Sequence, residues 1–294
     1  MSGYVIPLSL ERQSQRTFWI RRFFRLYPVY WLAVAAYVAV SWHTLSDAGS
    51  LSAERVALNV LMVQGAIGVV SLLPPGWTLG IELLFYVQSA ATAARRWLDW
   101  AVHLGWFWLG FYALLATGSR VSGHDLHPTF ALLLFTAALG HSLHLRDERG
   151  SGTWRWLFLA GAVVVPIGAV LGQGRTPASQ WGWQPFSYGA SWFVGVALFC
   201  AFYALRDRNL GRGLTWLGAI SYSVYLVHPT VFAAVADIWG RTSLTTLIVG
   251  LVAVPLVARV LFVTVERPSI ALGRRLSRRP KPRPLAEVEA QAAP

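Results

Sequence analysis

Glu82 is the residue that most constrains what this chain can do. It lies in Pro74-Pro75-Gly76-Trp77-Thr78-Leu79-Gly80-Ile81-Glu82-Leu83-Leu84-Phe85-Tyr86, where two prolines and a glycine break the chain and an apolar helix then begins. A comparable charged group at mid-bilayer costs roughly 2.5–3.5 kcal/mol on insertion scales, so this carboxylate has to face protein, water or a ligand. Helical spacing puts Thr78, Glu82 and Tyr86 on one face at i, i+4 and i+8. A second constellation is Ser221-Tyr222-Ser223-Val224-Tyr225-Leu226-Val227-His228-Pro229, in which Ser221, Tyr225 and His228 share a face. A carboxylate and an imidazole at one depth would make an acid/base pair or a pair that holds a substrate. The alternative is structural: a glutamate satisfied by a neighbouring helix, and a histidine that hydrogen-bonds beside a kinking proline.

The third constellation is Phe18-Trp19-Ile20-Arg21-Arg22-Phe23-Phe24-Arg25-Leu26-Tyr27-Pro28-Val29-Tyr30-Trp31. It sets Arg21, Arg22 and Arg25 at one helix end, where guanidinium forks suit phosphate oxygens. Plain topology determination by snorkelling side chains would produce the same pattern. The remaining histidines say less. His141 and His144 stand at i, i+3, but no carboxylate or cysteine at ligand spacing supports them, and no metal is expected. His124 and His127 belong to a polar loop. Arg259, inside an apolar run, either pairs across a bundle or snorkels.

The elements that must position these residues are membrane helices. Of 294 residues, 55% are hydrophobic and only 13% charged, and the mean hydropathy is +0.48. Soluble domains carry roughly 25% charged residues. Fifteen tryptophans and ten tyrosines fit rings that collect at bilayer interfaces. Cys200 cannot form an internal disulfide and does not report the compartment. Met1–Leu10 lacks the charged n-region and cleavage site of a signal peptide, so none is expected there. The net charge of +12 would suggest nucleic acid in a soluble protein. Here the basic residues lie in short clusters between apolar segments, which points to loops near anionic lipid instead.

The fold expected is all-α, a polytopic bundle with eight spans near 24–42, 77–94, 100–118, 128–145, 154–171, 186–205, 214–236 and 243–265. The stretch 56–73, with Asn59, Gln64, two glycines and a terminal Pro-Pro, reads as re-entrant or interfacial. With the N-terminus cytoplasmic, twenty basic residues fall in inside loops and four (Arg55, Arg120, Arg175, Arg241) outside. That bias puts both termini in the cytoplasm. Residues 1–273 form the membrane domain; 274–294, basic and then Pro/Ala-rich, form a disordered cytoplasmic tail along the membrane lipid. On this topology His228 lies about 21 Å above the inner start of its span, at 1.5 Å per residue, a depth similar to that of Glu82. No internal repeat supports an inverted-repeat transporter.

Taken together and in order, Arg21-Arg22-Phe23-Phe24-Arg25-Leu26-Tyr27-Pro28, the Pro74–Tyr86 string, Ser221–Pro229 and Val265-Glu266-Arg267-Pro268 resemble the membrane acyltransferase 3 family. The resemblance covers nearly the whole chain. It implies a ten-helix inner-membrane enzyme of bacterial type. Such an enzyme moves an acyl group, commonly acetyl, from cytoplasmic acyl-CoA to a hydroxyl of a glycan, lipopolysaccharide or secondary metabolite. Arg21, Arg22 and Arg25 would then face the CoA phosphates. Trp77, Glu82, Tyr225 and His228, with Tyr86 and Ser221 on the same two faces, would contact the acceptor. The chain departs from the family at its start. Members open with two further helices carrying an arginine and, about ten residues on, a histidine base; Met1-Ser2-Gly3-Tyr4 resembles the end of the second. The catalytic base is therefore unassigned, with His228 and Glu82 as candidates. The competing expectations are an inactive truncated homologue, a non-enzymatic export partner, and a transporter that uses Glu82 to couple protons.

Overall fold

The computed structural model describes residues 2–47, 51–95, 100–173, 185–209 and 211–278. All regular structure among them is helical. The elements are α1 (Ser2–Glu11), α2 (Gln15–Val40), α3 (Trp42–Asp47), α4 (Ala53–Val60), a 3₁₀ turn (Gln64–Ala66), α5 (Gly76–Ala94), α6 (Ala101–Ser122) and α7 (Thr129–Arg149). They continue with α8 (Trp154–Gln173), α9 (Pro185–Ala204), α10 (Gly211–Trp239), α11 (Leu244–Leu261), a π turn (Phe262–Glu266) and α12 (Arg267–Leu276). The ends follow local chemistry. Ser14 and Ser243 cap α2 and α11 by accepting the amides of Thr17 and Thr245, and left-handed Gly123 and Gly150 close α6 and α7.

Among the described residues six helices are long and apolar enough to cross a membrane: α2, α6, α8, α9, α10, and α11 continued through α12. The protein is a polytopic helical membrane protein. Of the eight spans read from the sequence, α5 and α7 fall outside these six. Thr78, Glu82, Gln88 and Ser89 dilute α5, and α7 ends in His141, His144 and the charged run Arg146–Arg149. Prolines 28, 166, 229 and 255 all lie inside spanning helices, where neighbouring groups can satisfy the freed carbonyls.

Two cores organise the bundle. One joins side chains of α1, α2, α5, α10 and α11 around Phe18, Tyr30 and Tyr86. The other joins α6 to α9 around Tyr112, Phe135 and Trp192. Apolar burial gives helices little reason to associate within lipid, so close packing at small residues carries the load. Gly3 shows this where α1 lies on α7: a Cβ there would sit 2.0 Å from the Ala137 carbonyl oxygen. Next to Gly3 on α1, Tyr4 donates to Asp147 at 2.7 Å and Tyr203 of α9 donates to the same carboxylate. Burial pushes the Asp147 carboxyl up, but these two donors, with Arg206 and Arg146, outweigh it and leave the group below its usual range.

The stretch 56–73 is broken as its composition implies, into the end of α4, the 3₁₀ turn and loop. Protein groups take most of its polar side-chain atoms, while the buried Gln64 Oε1 has no hydrogen-bond partner among the described residues. Buried Asn59 donates to the Arg55 carbonyl at 2.8 Å and accepts the Leu72 amide at 2.8 Å. Gln64 donates to the Tyr30 hydroxyl at 3.2 Å and to Ser71 at 3.3 Å. At the C-terminus, α12 runs to Leu276, three residues into the segment read as tail. The tail from Arg279 onward, like Arg175, lies outside the described residues.

Candidate functional site

Glu82 is the hub of a polar node built from three helices. Ser2 of α1 donates to its Oε1 at 2.6 Å, and Tyr86, one turn on along α5, donates to the same oxygen. Tyr86 is fully buried. Arg22 of α2 lays its guanidinium 5.0 Å from the Tyr86 ring centre and 5.4 Å from that of Phe18, within electrostatic reach of Glu82. A desolvated cation over a ring gains about 2 kcal/mol. The helix-face reading of Glu82 and Tyr86 therefore holds, and the arginine motif and the glutamate motif, sixty residues apart in sequence, meet directly.

A second node lies four residues back along α5. The Thr78 and Tyr225 hydroxyls bond each other, and each lies 2.9 Å from the Pro75 carbonyl oxygen; with one proton apiece, one hydroxyl donates to that carbonyl while the other donates to its neighbour. That carbonyl, at the start of α5, already accepts the Thr78 amide at 3.3 Å, and its second lone pair can take a hydroxyl. His228 follows on α10, its Nδ1 2.8 Å from the Tyr225 carbonyl oxygen. A carbonyl only accepts, so Nδ1 carries the proton and Nε2 carries the lone pair. Glu82 and His228 make no hydrogen bond or ion pair with each other; Thr78 and Tyr225 stand between their helices. An imidazole so fixed can accept a proton at Nε2 from a bound hydroxyl.

The remaining sequence-derived residues are placed as follows. Trp77 is 37% exposed, with its backbone against Gly65. Ser221 is exposed and donates to the Gly218 carbonyl of its own helix at 2.9 Å. The start of α10 through Ala219 is exposed throughout, so packing begins only at Ile220. Arg21 donates to Ser277 at 3.0 Å and to Gln13 at 3.1 Å. Arg25 is exposed and lies near Glu266. Arg259 sits on an exposed face, 6.0 Å from the Phe262 ring centre.

Two residues that face-counting passed over are central. Ser223 and Glu266 are both buried, and Ser223 donates to the carboxylate at 2.6 Å. The π turn at Phe262–Glu266 adds a residue to that turn of the helix and so re-aims Glu266. The signal was present in the sequence as a single acid closing an apolar span. Ser223→Ala would leave this carboxylate without its donor and is expected to cost about 1–3 kcal/mol, read as a lower melting temperature in detergent. Ser221→Ala should stay within about 0.5 kcal/mol of the parent.

Tertiary structure also supplies what spacing withheld from His144. Its buried Nε2 is 3.1 Å from Glu11 of α1, and donor atoms of Glu11, His144 and Glu148 lie within 4.8 Å of one another. The hydrogen bond by itself accounts for this approach.

A family model described as an acyltransferase domain matches residues 1–265. Among curated proteins, the chain is 25% identical over 307 residues to the exopolysaccharide production protein ExoZ of Rhizobium meliloti (strain 1021), covering 93% of this chain and 88% of that one. No solved structure matches it.

Proposed function

Since this chain belongs to the acyltransferase 3 family and is an acyltransferase, we propose that it transfers an acyl group, with acetyl the expected one, from acyl-CoA to a hydroxyl of a glycan. The similarity to an exopolysaccharide production protein favours a polysaccharide acceptor over a secondary metabolite. In this reading α5 and α7 complete eight spans in a bacterial-type inner membrane, and both termini are cytoplasmic.

The observation that carries the proposal is the direct contact between the arginine end of α2 and the Glu82 node through Tyr86. It joins a donor gate to an acceptor layer. Arg21, Arg22 and Arg25 face the phosphates of the donor. Glu82, Tyr86, Tyr225 and His228 hold the acceptor, with Trp77 and Ser221 at its margins. The acceptor oxygen attacks the thioester carbonyl; a C–O bond forms, the C–S bond breaks, and the hydroxyl proton passes to the base while CoA leaves and is protonated as the thiol. His228 Nε2 is the better placed base, because its tautomer is fixed; Glu82 orients the acceptor. Base catalysis of this kind contributes typically 10²–10⁴-fold.

The full chain in proteoliposomes, given acetyl-CoA labelled in the acyl group and exopolysaccharide fragments, is expected to release CoA and label the glycan. Proton-driven glycan uptake with no CoA released would replace the enzyme reading with the transporter. Neither release nor uptake would favour an inactive homologue.

A further inference from the structure

Beside the arginines of α2 lies a second basic surface that the family match, ending at residue 265, does not reach. A cleft of about 500 Å³ is lined by Arg267, Arg274, Arg275 and Arg278 over a floor of Phe262, Ile270 and Ala271. The two surfaces belong to one end of the bundle. Arg21 bonds Ser277 at 3.0 Å, and Gly273 packs so tightly on Phe24 that a Cβ would fall 2.7 Å from it.

Their electrostatic states differ. Arg22 is committed to two aromatic rings and faces Glu82, while Arg25 faces Glu266. Among the described residues no carboxylate pairs with Arg267, Arg274, Arg275 or Arg278, and all four are exposed. Four uncompensated guanidinium groups in one cleft repel each other and gain most from a polyanion, since each can fork onto phosphate oxygens. An apolar floor under that charge suits a planar ring system carried by the same ligand. The volume falls in the range of small-molecule sites.

We infer that the α12 cleft binds the phosphorylated nucleotide end of the acyl donor, with the 3′-phosphate on Arg274, Arg275 and Arg278 and the purine over Phe262 and Ile270. This rests on acyl-CoA being the donor. Arg21, Arg22 and Arg25 then hold the diphosphate and direct the thioester arm toward Glu82. The second half of the donor site thus comes from the far end of the chain, clamped on by the Arg21–Ser277 bond.

The test is titration of the full chain in neutral-lipid nanodiscs with CoA and with 3′-dephospho-CoA, for the parent and for Arg274→Gln/Arg275→Gln/Arg278→Gln. These side chains are exposed and pair with no carboxylate among the described residues, so the melting temperature should not move. Charge-assisted contacts made by exposed side chains are worth up to about three- to fivefold each. The triple variant is therefore expected to bind CoA about 30- to 100-fold more weakly and to lose the parent's preference for CoA over 3′-dephospho-CoA. Equal CoA affinity in parent and variant overturns the cleft while leaving the donor intact. No CoA binding by the parent overturns the donor reading and the cleft with it. If the variant loses affinity only in nanodiscs containing anionic lipid, the cleft is a lipid headgroup site and the inference fails.

Discussion

Glu82→Gln is expected to lower acyl transfer by about 10²-fold or more, within the range that a group acting on the reacting hydroxyl contributes. The amide still offers Oε1 to Ser2 and Tyr86, so the hydrogen bonds at 2.6 Å and its neighbour can persist. What disappears is the negative charge facing Arg22. Removing one partner of a fully buried ion pair costs about 3–5 kcal/mol; both groups here are half-buried, so the loss of stability should be a fraction of that. Initial rates at saturating acyl-CoA, set beside the melting temperature, separate the two effects. Glu82→Asp keeps the charge and withdraws it by one methylene, and should recover stability before it recovers rate. A Glu82→Gln enzyme with the parent's turnover would remove Glu82 from the chemistry and leave it a structural tie between α1, α2 and α5.

The second large effect is expected at a glycine. Gly65, in the broken stretch, lies against the start of α5 so closely that a Cβ would sit 2.1 Å from the Trp77 carbonyl oxygen. Both sides of that contact are backbone, so no rotamer change relieves it. Gly65→Val is expected to cost at least the 1–3 kcal/mol typical of overpacking. It should also shift the helix start that carries Pro75 and Thr78. Because a displacement near 1 Å can cost 10²-fold in rate, acyl transfer should fall by about 10- to 100-fold in whatever protein remains folded. Gly110→Ala, with open space around its Cβ, is the control and should change neither melting temperature nor rate. A rate loss in Gly65→Val fully explained by unfolded protein would mean that the broken stretch only supports the fold.

Much of this was decided by the sequence alone, for a physical reason: lipid penalises unsatisfied polar groups so heavily that the positions of the few polar residues restrict the architecture. The scarcity of charge made the chain a helical membrane protein, and one carboxylate in an apolar helix marked the node around Glu82. Helical period placed Tyr86 correctly beside it. Asn59, Gln64 and the Pro-Pro pair foretold that 56–73 would not form a spanning helix. The family resemblance rested on motifs kept in order along one chain, which needs no tertiary information.

Tertiary structure decided which faces meet. Face-counting treats a helix as equally packed along its length, so it grouped Ser221 with Tyr225, although the start of α10 is exposed and Ser223 is the serine that packing buries. It could not pair Arg22 with Tyr86, or Ser2 with Glu82, because those contacts depend on how α1 and α2 are placed beside α5. Nor could it find Glu266, whose direction is set by one π turn. The two arginine surfaces lie roughly 250 residues apart in the chain and become one end of the bundle only because Gly273 lets α12 lie on Phe24. Sequence supplies the charges and the periodicity; distances between helices are set by packing, and the proposed site is a matter of distances.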